Sequence, residues 1–584
     1  MQKKIKNLLG KPVAQVVFLV IITILLRLYG VNNPVADWHS FRQADTASVA
    51  YMYFREGSID LLRPRYQDVS NIQSGVDNPD GWRMVEFPLI NGLVAWLMLT
   101  FNTDNVELTY RLVNITLAAL AVAGFYLLIY ELGDKKKRLL PFLCALLLAT
   151  LPFSIFYSRA ILPEIGVLCG HILSLYFLVK YLKTTSVKTK TDISSKNKII
   201  WQIIYGILTT ALLSSTLLIK PMGVFIAPVL IYLAFAYLGK KALIHWPLYA
   251  IAMISTAPLI MWRSWIQNFP EGVPASDWLL DGSNAGEAGM RLRFPWWRWL
   301  FIERIVKLII GFWGLVLMST NIIDRLKNKW SIIDGFYFVY LASMILFLII
   351  FSTGNIQHDY YQVMIMPALI VGVSTGIIHL LGVYPKRLTD LLKNKKQLIQ
   401  AALGVLSAIF LVMIFHQVLN LDETYQLLGW RLFTTIGLLL AMIAIFIFVK
   451  KNVFLATMAI VGFFVGYIAL WSIVGTFFRI NHPAIVEAGR TANAILPTDA
   501  RVIAPHMGDT AFLFQTRRFG WPIGFDIDDK IKAGATHYVT VNMDDEANKL
   551  REKFETIIKT DLYLILDLTT PLATNSASVN GDIE

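Results

Sequence analysis

Apolar runs close to the 20 or so residues that cross a hydrocarbon layer as a helix recur along this chain. They lie at 13–29, 108–131, 139–157, 161–182, 199–219, 221–238, 243–263, 301–320, 333–352, 361–383, 399–416, 431–449 and 453–476. The pattern predicts an all-α polytopic membrane protein of about 13 transmembrane helices. From Asn481 the alternation changes. A helix is predicted over Pro483 to Leu496, with strands at Arg501-Val-Ile-Ala and His537-Tyr-Val-Thr-Val, so a small C-terminal α/β domain follows. Its predicted limits are 481–570, behind a transmembrane domain of 1–480, with a polar tail at 571–584 read as disordered. No internal repeat is visible.

Between the runs, lysines mark every second loop. Lys3, Lys4, Lys6 and Lys11 precede the first run, Lys135 to Arg138 follow the second, and the alternation continues to Lys450 and Lys451. Short cytoplasmic loops carry such an excess, so the N-terminus is predicted in the cytoplasm, the C-terminal domain outside, and the whole in the cell membrane. The first run lacks a small-residue cleavage site and reads as a retained span. A net charge of +13 is therefore a topology signal, since no basic block suited to nucleic acid is present. Hydrophobic residues make up 56% of the chain and charged ones 16%, which excludes a water-soluble core as the main body. Cys144 and Cys169 both sit in apolar runs and read as inert packing.

The outer loops hold the candidate chemistry. Loop one, 30–107, is too long for a connector and carries two helix-like stretches, Phe41 to Phe54 and Pro88 to Phe101, predicted to lie along the membrane surface. It opens with Asp37-Trp-His39-Ser-Phe-Arg42-Gln-Ala-Asp45, where Asp37 or Asp45 could simply cap a helix. Glu86, before Pro88, could cap a helix or serve a site. Arg159 and Glu164 share the tight turn between the third and fourth spans and could pair with each other. Lys220 is almost the only lysine on the outer side before the tail, and a cation at that depth suits a phosphate. His358, Asp359, Tyr360 and Tyr361 open the tenth span, where tyrosines are expected and the other two are not. Phe294-Pro-Trp-Trp-Arg-Trp reads as an interfacial aromatic belt.

In order and sidedness these motifs resemble the GT-C superfamily of membrane glycosyltransferases, in the branch of the protein O-mannosyltransferases and the lipid A aminoarabinose transferase. Asp37 is similar in position to that family's first-loop catalytic aspartate, with Asp45 a rival because the usual adjacent Asp-Glu pair is lacking. Glu86-Phe-Pro resembles a Glu-Lys-Pro element in which Phe87 replaces the lysine. Leu162-Pro-Glu164 and His358-Asp-Tyr-Tyr361 resemble the family's later outer motifs.

The resemblance implies a GT-C-like fold and a sugar donor linked to a polyprenyl phosphate, undecaprenyl phosphate in a bacterium. The acceptor would be an outer lipid, protein or glycan. Asp37 or Asp45, with Glu86 beside them, would do the chemistry by inverting displacement. Arg42, Arg159, Lys220, His358, Tyr360 and Tyr361 would hold the donor phosphate. Glu164, His39 and Asp359 would meet acceptor or metal, and a divalent ion, Mg or Mn, could gather among these acids and histidines. A flippase or transporter of lipid-linked sugars, and a glycan polymerase or ligase, are the competing readings. The odd span count and the scarcity of charge within spans argue against alternating access.

Overall fold

The computed structural model describes residues 11–186, 193–275, 291–327, 330–382, 388–419 and 452–572. Its contacts divide the chain into two compact units. One comprises Met1–Tyr29, Asn114–Ile260 and Ser276–Phe477; the other comprises Gly30–Val113, Met261–Ala275 and Phe478–Glu584.

The first unit is helical, and every predicted span that falls on described residues is found there as helix. The predicted span at 431–449 lies outside the described residues. Among the described residues, eight helical stretches are long and apolar enough to cross a membrane. Pro12–Arg27 and Leu139–Thr150 are shorter apolar helices. Several spans are not the single helices expected from their hydropathy. The third breaks at Leu151, extended at ψ 131°, because Pro152 disfavours helical backbone in the residue before it.

That break frees carbonyls in a setting without water, and the buried Arg27 takes them up. Its guanidinium donates to Ala149 O at 2.8 Å and Leu148 O at 3.3 Å, and to the hydroxyls of Ser154 and Ser158. Short 3₁₀ segments, Pro221–Ile226 and Asp359–Ile365, open the sixth and tenth spans. The eighth begins as a π-helix, Trp299–Ile310, closed by Gly311 at φ +67°. Helices also meet backbone to backbone: a Cβ on Gly376 would lie 2.1 Å from Leu317 O, which only glycine permits.

The second unit holds loop one and a five-stranded sheet of order β2-β1-β3-β5-β4. The strands are β1 (Arg501–Ile503), β2 (Phe519–Trp521), β3 (His537–Thr540), β4 (Phe554–Lys559) and β5 (Leu564–Pro571). The first three are parallel, while β5 is antiparallel to both β3 and β4. β5 runs through Thr570 and Pro571, past the start of the expected tail, and 573–584 lie outside the described residues.

The outer edge of β2 is covered by loop one itself. Gly520 donates to Gln67 O at 3.0 Å and accepts from Val69 N at 2.9 Å, so Gln67–Val69 adds a parallel partner to the sheet. The predicted loop-one helices appear as Ser40–Glu56 and Leu89–Phe101. Ser40–Glu56 is not the one-faced surface helix expected: it is buried along Arg42 to Ala50, packed against Leu89–Phe101 and Ala511–Thr516.

Gly520 has no room for a side chain, since a Cβ would sit 1.7 Å from Val502 O. Gly520→Ala is expected to destabilise the sheet by about 1–3 kcal/mol or more through forced overpacking. Hydrogen exchange should show lost amide protection in β1, β2 and 67–69 together; unchanged protection would refute the shared edge.

Candidate functional site

Each unit carries its own cluster of buried charge. In the loop-one unit, the residues around Asp37 are fixed from both sides: Ala36 O accepts from Asn481 N at 3.0 Å, and Val35 O accepts from the Gln515 side chain at 3.0 Å. His39 follows at φ +56°, a left-handed backbone rare outside glycine, and precedes helix Ser40–Glu56 with no side-chain cap. Backbone held against its preference collects at functional sites, because the surroundings must impose it.

The N-cap position is His39, and Asp45 lies inside the helix and cannot cap it. Asp37 is fully buried, accepts from Gln43 Nε2 at 2.6 Å, and has Arg111 Nη2 4.0 Å away. Asp45 lies within the helix and is gripped by Arg83 at 2.7 Å, Gln73 at 3.1 Å and the Thr510 hydroxyl at 2.6 Å. Glu86 does not cap the helix that follows; it forms an ion pair with Arg42. Phe87, at the position of the resemblance's lysine, packs edge-on against Trp262.

Thr510 belongs to the loop after β1, so the C-terminal segment, which in sequence shows nothing of chemical interest, supplies a direct partner to a loop-one acid. Burial pushes the nearby Asp509 carboxyl up to about 6, with the Asp45 carboxylate adding to the effect and the Ala511 N–H opposing it. Asp68, on the strand-like segment of loop one, is likewise pushed up to about 6 by burial, against hydrogen bonds from Ser70.

In the helical unit, Lys220 closes the fifth span and ion-pairs with Glu164, with its ammonium 4.4 Å from the Tyr361 ring centre and 5.4 Å from that of Tyr360. Glu164 thus takes Lys220 where the turn suggests Arg159. Arg159 is fully buried, with its guanidinium 5.6 Å from the Phe156 ring centre. Asp359 accepts from the Tyr157 hydroxyl and lies 3.5 Å from Arg304 Nη1. His358 stacks on Tyr360 at 5.1 Å. The tight turn, the end of the fifth span and the start of the tenth are therefore brought together, as their shared sidedness suggests. Arg304 was not singled out in sequence; within Trp299-Leu-Phe-Ile-Glu-Arg it looks like part of an aromatic and basic belt. The belt itself is mixed, with Trp296 buried and Phe294 exposed.

A cation held in place by an acid and two aromatic faces is chemically able to meet an anionic group such as a phosphate, at the cost of sharing it with that acid. An acid buried in loop one beside polar donors can take a proton from an attacking hydroxyl or amine. A divalent ion fits less well: among the described residues no three His, Cys, Asp or Glu side chains gather as ligands, and Asp45, Glu86, Glu164 and Asp359 each hold a cation.

Two predictions follow from these pairings. Asp45→Ala leaves the Arg83 guanidinium buried without its carboxylate and should cost about 3–5 kcal/mol of stability, read by thermal unfolding. Asp68 has a folded pKa above its ordinary 3.8, so the folded unit binds the proton more tightly than the unfolded chain does. Its contribution to stability therefore falls as pH rises from 3.8 to about 6 and is level above that. Asp68→Asn should gain on the wild type across that window in amide protection of β2, and a gap independent of pH would contradict the assignment.

Comparison with known proteins bears on the fold. Residues 91–268 match the family described as dolichyl-phosphate-mannose-protein mannosyltransferase. A comparison with curated proteins by sequence finds no match. Among solved structures, the chain is similar to ArnT from Cupriavidus metallidurans bound to undecaprenyl phosphate, at 12% identity and a TM-score of 0.57, covering 94% of this chain and 97% of that one. It is also similar to the archaeal oligosaccharyltransferase AglB from Archaeoglobus fulgidus in complex with an inhibitory peptide and a dolichol-phosphate, at 10% identity and a TM-score of 0.51, covering 91% of this chain and 69% of that one. The chain therefore shares its fold with these two solved structures, and its residues 91–268 match the mannosyltransferase family.

Proposed function

We propose that this protein transfers a sugar from a polyprenyl-phosphate donor to an acceptor outside the cytoplasmic membrane, with inversion and with Asp37 as the general base. The N-terminus and lysine-rich loops then face the cytoplasm, and loop one and the C-terminal segment form the outer part. The donor class is supported by the polyprenyl phosphates held by the two similar structures and by the buried, partnered cations of the helical unit.

The choice of base rests on one observation: both oxygens of Asp45 are engaged by donors from three places in the fold, Arg83, Gln73 and Thr510. An acid so held is a brace, because its lone pairs are spent on fixed partners. We assign proton acceptance to Asp37, which is buried beside the strained His39 and stands where the resemblance puts the first-loop aspartate. It would remove the proton of an acceptor hydroxyl or amine as that group bonds to the anomeric carbon. The bond from that carbon to the phosphate oxygen breaks on the opposite face, and the electron pair leaves with polyprenyl phosphate. Lys220 and Arg304, with Arg42 and Arg159, are assigned to the negative charge that develops there, the first two already stationed against Glu164 and Asp359. The phosphate leaves readily, so no general acid is required.

Purified protein supplied with a panel of polyprenyl-phosphate sugars and membrane extract should release polyprenyl phosphate. Asp37→Asn should lower turnover by about 10²- to 10⁴-fold in protein that still unfolds cooperatively above the assay temperature. Lys220→Ala should lower it by about 10²-fold or more. Full turnover in Asp37→Asn would dismiss it as the base, and no release from any donor would dismiss the transferase.

A further inference from the structure

A cavity assigned to nothing above lies in the sheet-bearing unit. It is an open cleft of about 610 Å³ lined by Asn71, Asp77, Arg501, Trp521, Phe525 and Asp529, among others. Its rim is built with unusual care. Phe525 and Asp526 are consecutive non-glycine residues with left-handed backbone, at φ +60° and +45°. Two charged side chains hold them there. Glu546 accepts from Phe525 N at 2.8 Å and from the Tyr538 hydroxyl at 3.0 Å, and Lys530 donates to Gly524 O at 3.1 Å and Phe525 O at 2.5 Å. A Cβ on Gly524 would fall 2.3 Å from the Glu546 carboxylate, so the turn is closed tightly over that acid.

The product of this arrangement is a phenyl ring 69% exposed to solvent. An apolar ring gains nothing from water, and two left-handed residues in succession are a cost that a glycine would avoid. The fold maintains both, with the ring beside a wall of acid, amide and guanidinium groups.

We infer that this cleft binds a carbohydrate, with Phe525 as the platform for a sugar ring's C–H face and Asp77, Asp529, Asn71 and Arg501 as partners for its hydroxyls. A sugar presents one apolar face and a rim of groups that both donate and accept, which matches an aromatic ring bordered by carboxylates, an amide and a guanidinium. A peptide is the less suited occupant. The strand edge that would recruit one by β-addition, β2, is already paired with Gln67–Val69. The inference concerns binding alone and does not depend on the transferase reading; where that reading holds, the cleft is a subsite for a glycan acceptor or product.

The test uses the full chain in detergent, with mannotetraose, cellotetraose, maltotetraose and chitotetraose as probes, by calorimetry and saturation-transfer NMR in the absence of any lipid-linked donor. At least one tetrasaccharide should bind. Phe525→Gly should weaken that binding by about tenfold or more, and its unfolding midpoint should be equal or higher because glycine accepts the left-handed turn. Asp529→Asn should weaken it as well. The inference is overturned if none of the four binds at millimolar concentration, if both variants bind like wild type, or if an unstructured peptide library binds at the cleft where the saccharides do not. Because no donor is present, loss of transferase activity elsewhere leaves these outcomes untouched.

Discussion

A charge removed from water must be met by another charge or by oriented dipoles, and in a chain that is mostly apolar that requirement fixes the arrangement of nearly every functional group. The net attraction of such pairs is modest, because desolvation offsets it, but stranding one member is expensive. Lys220 with Glu164, Arg304 with Asp359, Arg42 with Glu86 and Asp45 with Arg83 are therefore joined commitments. Each pair links elements far apart in the chain, and so brings turn, span end and loop to one place within its own unit. Arg27 is the same rule applied to backbone: a proline breaks a helix, and a guanidinium meets the carbonyls that the break exposes.

This accounts for what could be read from the sequence. Periodicity and length located the spans, since lipid demands long apolar helices and leaves little else to choose. The lysine alternation put the chemical residues on one side, and the structure brings Glu164, Lys220, Tyr360 and Tyr361 together within the helical unit. Helix breaks were not visible in hydropathy. Pro152 and Pro221 are themselves apolar enough to pass within a run, and what they change is backbone angle.

The partners were the illegible part. Thr510 meets Asp45 across 465 positions of chain and Glu107 meets Arg517 across 410, and no local pattern reports a contact of that separation. Arg304 was hidden for another reason: beside tryptophans it reads as an interfacial anchor, and only its approach to Asp359 distinguishes it. Of the two readings open for the loop-one acids, cap or site residue, capping does not account for Asp45 or Glu86, whose carboxylates are taken by buried arginines.

The loop that carries Asp37 is not organised by its own sequence alone. Val35 and Ala36 are bound by Gln515 and Asn481, Gln67 and Val69 complete an edge of the sheet, and Asp45 is tied to Thr510. Every one of those partners lies between Asn481 and Gly520. The left-handed turn at His39 and the buried acids of loop one are therefore held by partners within the loop and by this later segment together. The C-terminal segment is thus a structural condition of the proposed base, whatever it binds: strained backbone beside a desolvated carboxylate persists only where several distant contacts over-determine its position.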